Sequence, residues 1–267
     1  MDKLLTVVIP SYNVEKFLNQ TLDSFICDEA VMKKFEVIVV DDGSKDNTAK
    51  IGKEYADKYP DTFRVISKEN GGHGSTINCG IRNAVGKYFK VVDGDDWVNT
   101  ADFVKLVEDL EKTESEYVFT NYYEYYDDVN RQKAVDFPQF KDGTEYDFAD
   151  VANKVYIPMH ALVIKTSVLK DNNIVIDEKC FYVDVEYVMF PVPFVNKVTF
   201  FDLHVYMYRL ALSTQSVSIL GFQKHINDHL RVTFHMFDFY RDYISSDKAD
   251  SAKADYMRTC IADLIIT

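Results

Sequence analysis

The sequence predicts an α/β fold in which a mostly parallel central sheet is flanked by helices. Through the first hundred residues, apolar runs of strand length alternate with segments whose apolar residues recur at helical spacing. Such alternation is typical of parallel sheets whose strands are joined by right-handed helical crossovers. The chain has 267 residues, 47% of them hydrophobic, and this is enough for a large core in one continuous domain.

Four strands and three helices are predicted in the first half of the chain. The strands cover Leu4–Ile9, Phe35–Val40, Phe63–Ser67 and Tyr88–Val92. The helices cover 14–26 with Asn13 as N-cap, 46–59 with Asp46 as N-cap, and 75–84 after a Gly-rich turn. Ligands of such sheets bind outside the carboxyl ends of the strands, so segments 10–13, 41–44, 70–75 and 93–96 are expected at one edge.

The second half shows weaker periodicity. A helix is predicted at 101–112, a strand at 117–126 and an irregular stretch from there to about 150. Further along, the pattern predicts a strand at 161–164, short helices near 167–170 and 184–195, and a strand pair or one long strand at 198–210. A last helix at 222–243 is expected to pack on the sheet through apolar residues at helical spacing, namely Phe222, Ile226, Leu230, Phe234 and Phe237.

Composition excludes several classes of function. The formal net charge of -13 argues against nucleic-acid binding and against adsorption to anionic membranes through this part of the chain. The four cysteines form no Cys-x-x-Cys pair, which favours reduced thiols in a cytoplasmic protein. The last residues read as an unfinished helix. We therefore expect a missing C-terminal segment that could provide peripheral contact with the inner face of the plasma membrane.

Three carboxylates follow the fourth predicted strand, in the sequence Asp93-Gly94-Asp95-Asp96. Carboxylates this close repel one another unless a cation or strong hydrogen-bond donors lie among them. Oxygen ligands in this number suit Mg²⁺ or Mn²⁺, and Mg²⁺ commonly holds substrate phosphates as well. Taken alone, the turn is more simply explained as an acidic cap of the next helix, so the metal site depends on the other motifs.

Four short motifs occur in order along the first half, and together they are specific. They are Val8-Ile9-Pro10-Ser11-Tyr12-Asn13, Val39-Val40-Asp41-Asp42-Gly43-Ser44-Lys45-Asp46, Glu69-Asn70-Gly71-Gly72 and Asp93-Gly94-Asp95-Asp96. With this order and spacing the chain resembles the family 2 glycosyltransferases over roughly residues 4–220. Two later segments extend the resemblance, 182–187 to the acidic catalytic motif and 206–218 to the segment that closes over the donor.

The resemblance implies a GT-A fold with a Rossmann-like sheet, and inverting transfer of a sugar from a UDP-sugar to a hydroxyl of a glycan or lipid-linked acceptor. It implies a divalent cation, Mn²⁺ or Mg²⁺, on the diphosphate, with Asp93 and Asp95 as ligands and Asp184 as general base. Asp96 supports the loop, and 213–218 closes over the donor. The nucleotide-binding positions that it implies are Pro10, Tyr12, Glu15, Asp42, Asn70, Gly72, Asp93 and Gly94.

The same resemblance divides the chain. A GT-A domain is expected over 1–220, with a nucleotide-binding half at 1–98 and an acceptor and catalytic half at 99–220. A C-terminal helical segment follows at 221–267. The Gln-x-x-Arg-Trp motif of processive members is absent and the one tryptophan is Trp97, which favours transfer of a single sugar. The catalytic motif reads Val183-Asp184 where Glu-Asp is usual, so the role of the missing glutamate is lost or passes to Glu186.

Three histidines have open roles at this stage. His73 could reach the diphosphate or sugar, His160 could face the acceptor, and His204 could complete the metal shell, although a plain packing role is the simpler expectation for each. Two other functions also stay open. A nucleotidyltransferase would release pyrophosphate from a nucleoside triphosphate, and a catalytically silent module would bind a nucleotide or glycan without turnover.

Overall fold

The computed structural model describes residues 3–210 and 219–266. In these ranges the strands are β1 (Leu5–Ser11), β2 (Phe35–Asp41), β3 (Phe63–Ser67), β4 (Tyr88–Val91), β5 (Trp97–Val98), β6 (Tyr117–Tyr126), β7 (Arg131–Val135), β8 (Thr144–Asp147), β9 (Leu162–Lys165) and β10 (Lys197–Leu210). The helices are α1 (Leu18–Asp23), α2 (Glu29–Met32), α3 (Thr48–Lys58), α4 (His73–Asn83), α5 (Thr100–Asp109), α6 (Phe148–Ala152), α7 (Thr166–Asp171), α8 (Asp184–Met189), α9 (Ile219–Lys224), α10 (Ile226–Ile244) and α11 (Ser251–Ile266).

The strands form one sheet in the order β3-β2-β1-β4-β9-β6-β10-β5, with β7 beside β6 and β8 beside β10. Strands β3, β2, β1 and β4 are all parallel, as the alternating pattern predicts. In the second half β9 is antiparallel to both of its neighbours, and β10 is parallel to β6 but antiparallel to β5 and β8. The sheet is therefore parallel in its first half and mixed in its second.

Each face of the sheet is covered by its own hydrophobic core. Strands β1 and β2 are buried along their whole length. Successive side chains of a strand point to opposite faces, so Val8 and Ile38 enter one core while Val7 and Val37 enter the other. This burial on both faces explains why these strands read as continuous apolar runs.

The stretch predicted to be irregular, up to residue 150, contains β7, β8 and the start of α6. Four of the five residues of β7 are exposed, so this strand has no apolar alternation that a sequence pattern could reveal. It forms because it pairs antiparallel with the end of β6, from Tyr122 to Tyr126. The segment from Lys197 to Leu210 is one long strand with register shifts on either side of His204.

The predicted helix at 222–243 is two helices, α9 and α10. Its predicted packing face is wrong, because Ile226, Leu230, Phe234 and Phe237 are exposed. The buried residues of α10 include Val232 and Met236, which lie on another side of the helix. The helix packs against α8, α9 and α11, and not on the sheet as predicted.

Candidate functional site

The carboxyl ends of β1, β2 and β4 lie side by side because these strands are parallel neighbours. The order of strands reverses here, since β2 and β3 lie on one side of β1 and β4 lies on the other. Open parallel sheets bind ligands in the crevice at such a reversal. The predicted site residues that follow these strands, Tyr12, Asp42 and Asp93, therefore meet at one edge of the sheet.

Asp42 is buried and organises the Gly-rich turn that follows β3. Its Oδ1 accepts from Lys68 Nζ at 2.6 Å and from the Gly71 N–H at 2.9 Å, while Oδ2 accepts from the Gly72 N–H at 2.7 Å. Asn70 donates through Nδ2 to the Asp42 carbonyl at 3.0 Å. Gly72 has a φ of 83°, which a residue with a side chain rarely adopts. One lone pair of Oδ2 stays available for a ligand N–H.

Tyr12 and Glu15 both follow β1, but only the Tyr12 side chain is available to contact a ligand. The Tyr12 side chain is 48% exposed at the crevice, so its ring is free to contact a ligand. The Glu15 carboxylate is committed to the start of α3, where Oε2 accepts from the backbone N–H and from Nδ2 of Asn47 at 2.9 and 2.8 Å. Asn13 does not cap a helix as predicted, because it has a φ of 54° and its Oδ1 accepts from the Lys45 N–H.

Gly94 brings the acidic turn after β4 against the end of β1. Its N–H donates to the Pro10 carbonyl at 3.1 Å. A Cβ at residue 94 would lie 2.9 Å from that oxygen, which is closer than real Cβ atoms approach. This position therefore requires glycine for a steric reason, and the turn is held beside Pro10.

Asp96 and Arg209 hold the acidic turn in place through hydrogen bonds. Asp96 is buried, its Oδ2 accepts from the Tyr206 hydroxyl at 2.6 Å and its Oδ1 accepts from the Arg209 N–H at 2.7 Å. The Arg209 guanidinium is also buried, donates through Nε to the Asp95 carbonyl at 2.8 Å and pairs with Asp127. Asp96 is thus engaged with the protein, which matches its predicted supporting role.

His73 lies where the charges of three predicted site residues converge. Its Nε2 is 2.8 Å from Asp93 Oδ1. Burial alone would lower the pKa of His73, but the carboxylates of Asp93, Asp184 and Asp95 raise the pKa above its ordinary value. Burial opposes ionisation of Asp93 in turn, yet His73 beside it lowers the pKa of that carboxyl. His73 thus contacts the acidic turn directly and responds to the charge of Asp184 at the start of α8.

Asp93 and Asp95 have the donor chemistry that a divalent cation needs. Burial, and then the neighbouring Asp93, raise the pKa of Asp95 to about 6. Two adjacent carboxylates whose charges oppose each other are stabilised by a cation between them. Oxygen donors of this kind suit Mg²⁺ and Mn²⁺, so the residues present fit the predicted metal.

Asp184 is the first residue of α8 and is partly buried. Burial raises the pKa of its carboxyl, and the nearby His73 opposes part of that shift. A raised pKa makes the carboxylate a stronger base than an ordinary aspartate. The environment of Asp184 therefore suits the role that the motif implies.

Glu186, two residues after Asp184 in α8, belongs to a buried polar network. The side chain is fully buried, with Oε1 2.9 Å from His235 Nδ1 and Oε2 accepting from the Asp177 N–H at 2.8 Å. Asp177 also pairs with Arg231 at 3.1 Å. Potential metal-ligand atoms of Asp177, Glu186 and His235 lie within 4.8 Å of one another. The network ties α8 to α10. Sequence reasoning missed the part that His235 takes in it, because His235 and Glu186 are 49 residues apart.

His204 contacts residues that are not among the predicted site residues. Its Nε2 is 2.6 Å from Asp136 Oδ1, and its ring stacks on Tyr123 with centroids 4.6 Å apart. Register shifts in β10 on both sides of His204 change the direction of its side chain. In the described ranges the His204 side chain is engaged with Asp136 and Tyr123, so we do not include it among the metal ligands that we propose below.

Two further findings complete the description. The predicted closing segment, 213–218, lies outside the described residues. None of the helices in the described ranges is long and apolar enough to cross a membrane.

Comparison with protein families gives a match to the model described as "Glycosyl transferase family 2" over residues 6–172. A similar curated protein is the uncharacterized glycosyltransferase EpsJ of Bacillus subtilis, 37% identical over 46% of this chain and 35% of that protein. Another is the minor teichoic acid biosynthesis protein GgaB of the same species, 34% identical over 42% of this chain and 12% of that protein. The chain thus spans well under half the length of these relatives.

Two solved structures show the fold. Staphylococcus aureus TarS 1-349, in complex with UDP-GlcNAc, has a TM-score of 0.73 and 20% identity, and the match covers 98% of this chain and 71% of that one. The mannosyltransferase PcManGT from Pyrobaculum calidifontis, in complex with GDP-Man and Mn²⁺, has a TM-score of 0.62 and 16% identity over 100% and 75% of the two chains. These likenesses confirm the predicted GT-A fold. Because the family match covers more than half of the 267 residues, the chain belongs to glycosyl transferase family 2.

Proposed function

We propose that this glycosyltransferase moves a sugar from a UDP-sugar to a hydroxyl of a glycan or lipid-linked acceptor, with inversion at the transferred carbon. The observation that carries the proposal is the pairing of His73 with Asp93 at 2.8 Å at the carboxyl edge of the parallel strands, where the charges of Asp184 and Asp95 also raise the pKa of His73. This arrangement brings carboxylates suited to a metal and a carboxylate suited to a base into one site.

The nucleotide would lie across the ends of β1, β2 and β4. The exposed ring of Tyr12 would contact the base, and the remaining lone pair of Asp42 Oδ2 would accept from its imide N–H. TarS, which is structurally similar, was solved with UDP-GlcNAc, and this supports a UDP-sugar as the donor. PcManGT was solved with GDP-Man, so GDP-mannose is the alternative donor to test.

Asp93 and Asp95 would hold Mn²⁺ or Mg²⁺. When bound, this cation would offset the charge that grows on the diphosphate as it leaves. Asp96 and Arg209 would keep both carboxylates in place through the hydrogen bonds described above. The Glu186 network would hold the helix that carries Asp184.

Asp184 would act on the acceptor. As the acceptor oxygen forms its bond to the anomeric carbon, the bond from that carbon to the diphosphate oxygen breaks on the opposite face, and the hydroxyl proton passes to the Asp184 carboxylate. Because this is a single displacement, the anomeric configuration inverts. The raised pKa of Asp184 strengthens it as the proton acceptor.

The test is nucleotide release from a panel of UDP-sugars and GDP-mannose, with Mn²⁺ and with EDTA, by the wild type and by Asp184→Asn. We expect slow, metal-dependent hydrolysis of one donor, reduced at least a hundredfold in Asp184→Asn because loss of a general base typically costs about 10²–10⁴. Asp128→Asn, at an exposed position of the β6–β7 turn, is the matched control and should behave like the wild type.

Full activity in Asp184→Asn would contradict the assigned base. Metal-dependent UDP binding without any turnover would favour a silent module. A protein that bound neither UDP nor GDP would overturn the proposed function.

A further inference from the structure

The ring of His160 is held between tyrosines and forms no hydrogen bond within the described ranges. It stacks on Tyr208 with ring centroids 3.9 Å apart and on Tyr122 at 5.7 Å, and it meets the edge of Tyr206 at 4.9 Å. Neither ring nitrogen has a hydrogen-bond partner among the described residues, although the backbone carbonyl of His160 accepts from Lys90 Nζ at 2.8 Å. Packing against the tyrosines fixes the orientation of the ring. Its nitrogens are therefore available to hydrogen-bond with another molecule.

Three tyrosine hydroxyls share this property: Tyr122 and Tyr208 stack on His160, and Tyr156 precedes it by four residues in the chain. Those of Tyr122, Tyr156 and Tyr208 have no hydrogen-bond partner in the part of the chain that the structure describes, and none of the three side chains is sealed from solvent. By contrast, the hydroxyl of the fully buried Tyr206 has a partner within the protein, Asp96. We call Tyr122, Tyr156, His160 and Tyr208 the aromatic wall.

The aromatic wall lies beside the acidic turn, because Tyr206, which meets the ring of His160, accepts from the Asp93 N–H at 3.1 Å and donates to Asp96 Oδ2 at 2.6 Å. Burial, followed by the charges of nearby groups that include Asp184, raises the pKa of both Tyr156 and Tyr208. Burial lowers the pKa of His160 to about 4, and the largest effect acting against that shift is the charge of Asp93. His160 is therefore neutral at pH 7, and a neutral imidazole offers one donor and one acceptor.

The charges around the aromatic wall select against an anionic ligand. Lys90 is fully buried, which lowers the pKa of its amine to about 7, and it donates to the carbonyls of His160 and Leu162 at 2.8 and 3.3 Å. Glu124 adds a carboxylate on the same side, where it accepts from Tyr126 and Lys133. The wall thus combines ring faces with neutral hydrogen-bonding groups, and these match a molecule whose hydroxyls both donate and accept.

We propose that the aromatic wall is the subsite for the acceptor unit that receives the sugar, and that this unit is an uncharged, hydroxyl-rich sugar or polyol. His160 and the hydroxyls of Tyr156 and Tyr208 bind its hydroxyl groups and present one of them to Asp184. The inference depends on the proposed function and specifies the acceptor side of the same site. His160 is a positioning residue here, since the proton passes to Asp184.

The test compares His160→Phe with the wild type, because phenylalanine keeps the stacked ring and removes both nitrogens. Tyr208→Phe removes a hydroxyl alone and serves if His160→Phe does not fold. Tyr55→Phe, which removes the hydroxyl that donates to Asp23 at 2.6 Å on a distant surface, is the matched control. Binding of methyl glycosides, glycerol and glycerol phosphate is followed by saturation-transfer NMR with UDP and Mn²⁺ present, and UDP binding is measured by calorimetry.

We expect the wild type and Tyr55→Phe to bind at least one uncharged glycoside or polyol. His160→Phe should bind it about three- to tenfold more weakly, as for the loss of one or two neutral hydrogen bonds. UDP affinity and the KM for the sugar donor should stay unchanged. An increased donor KM in His160→Phe would assign the wall to the transferred sugar and overturn the inference, as would equal acceptor binding in all variants or preference for glycerol phosphate. Loss of UDP binding by the wild type would instead contradict the proposed function.

Discussion

Asp95 retains a proton at higher pH than an ordinary aspartate, because burial and the adjacent Asp93 raise its pKa to about 6. A metal ligand must lose its proton before it binds the cation. We therefore expect Mn²⁺ affinity to be constant above pH 6 and to fall up to about tenfold per pH unit below it. Trp97, the only tryptophan, lies two residues beyond Asp95 and can report binding through its fluorescence.

The control for this pH dependence is Asp95→Asn, which has no proton to lose at this position. It should bind Mn²⁺ weakly at every pH, and its residual affinity should lack the step near pH 6. If the Mn²⁺ affinity of the wild type did not change between pH 5 and 7, this would show that Asp95 is not a metal ligand.

The places of the candidate site residues in the fold could be predicted better than their hydrogen-bond partners. As expected from the sequence, Asp42 and Asp93 follow strands and Asp184 begins a helix. The hydrogen bonds that fix them were not predictable, since Asp96 binds Tyr206 and Arg209 more than a hundred residues away. Such contacts depend on the order of strands in the sheet, which local patterns do not encode.

At the scale of elements, burial on both faces made β1 and β2 easy to predict, whereas α10 shows the limit of periodicity. This helix has apolar residues on more than one side, so spacing alone does not reveal which side is packed. Met236 and Val232 are buried, but Phe234 is 63% exposed. The polar edge strand β7 was missed for a related reason, because pairing with β6 and not an apolar pattern defines it.

The two sides of α10 should respond differently to substitution. Met236→Ala removes a fully buried side chain and should lower the free energy of unfolding by about 2–4 kcal/mol, through lost burial and the cavity left behind. Phe234→Ser should change the free energy of unfolding by less than about 0.5 kcal/mol, because the Phe234 ring is exposed and because serine and phenylalanine have similar helix propensities. Urea unfolding of both variants measures the difference, and equal losses would show that Phe234 is buried in solution.

At the scale of the whole molecule, the net charge of -13 opposes the approach of an anionic nucleotide. Several basic side chains near the site are already paired, Lys68 with Asp42 and Arg209 with Asp127. In the absence of metal, UDP should therefore bind more tightly as salt screens this repulsion, the reverse of the usual behaviour of a phosphate site. Raising ionic strength from about 10 mM to about 100 mM shortens the screening length from roughly 30 Å to roughly 10 Å.

We expect this change to increase metal-free UDP affinity by roughly threefold. With saturating Mn²⁺ the effect should shrink or reverse, because the cation cancels charge on both the acidic turn and the diphosphate. Fluorescence titration of Trp97 at the two salt concentrations measures both cases, and uridine, which lacks the diphosphate, should bind independently of salt. If UDP bound more weakly without metal at the higher ionic strength, a local basic group, and not the overall charge, would determine the binding of the diphosphate.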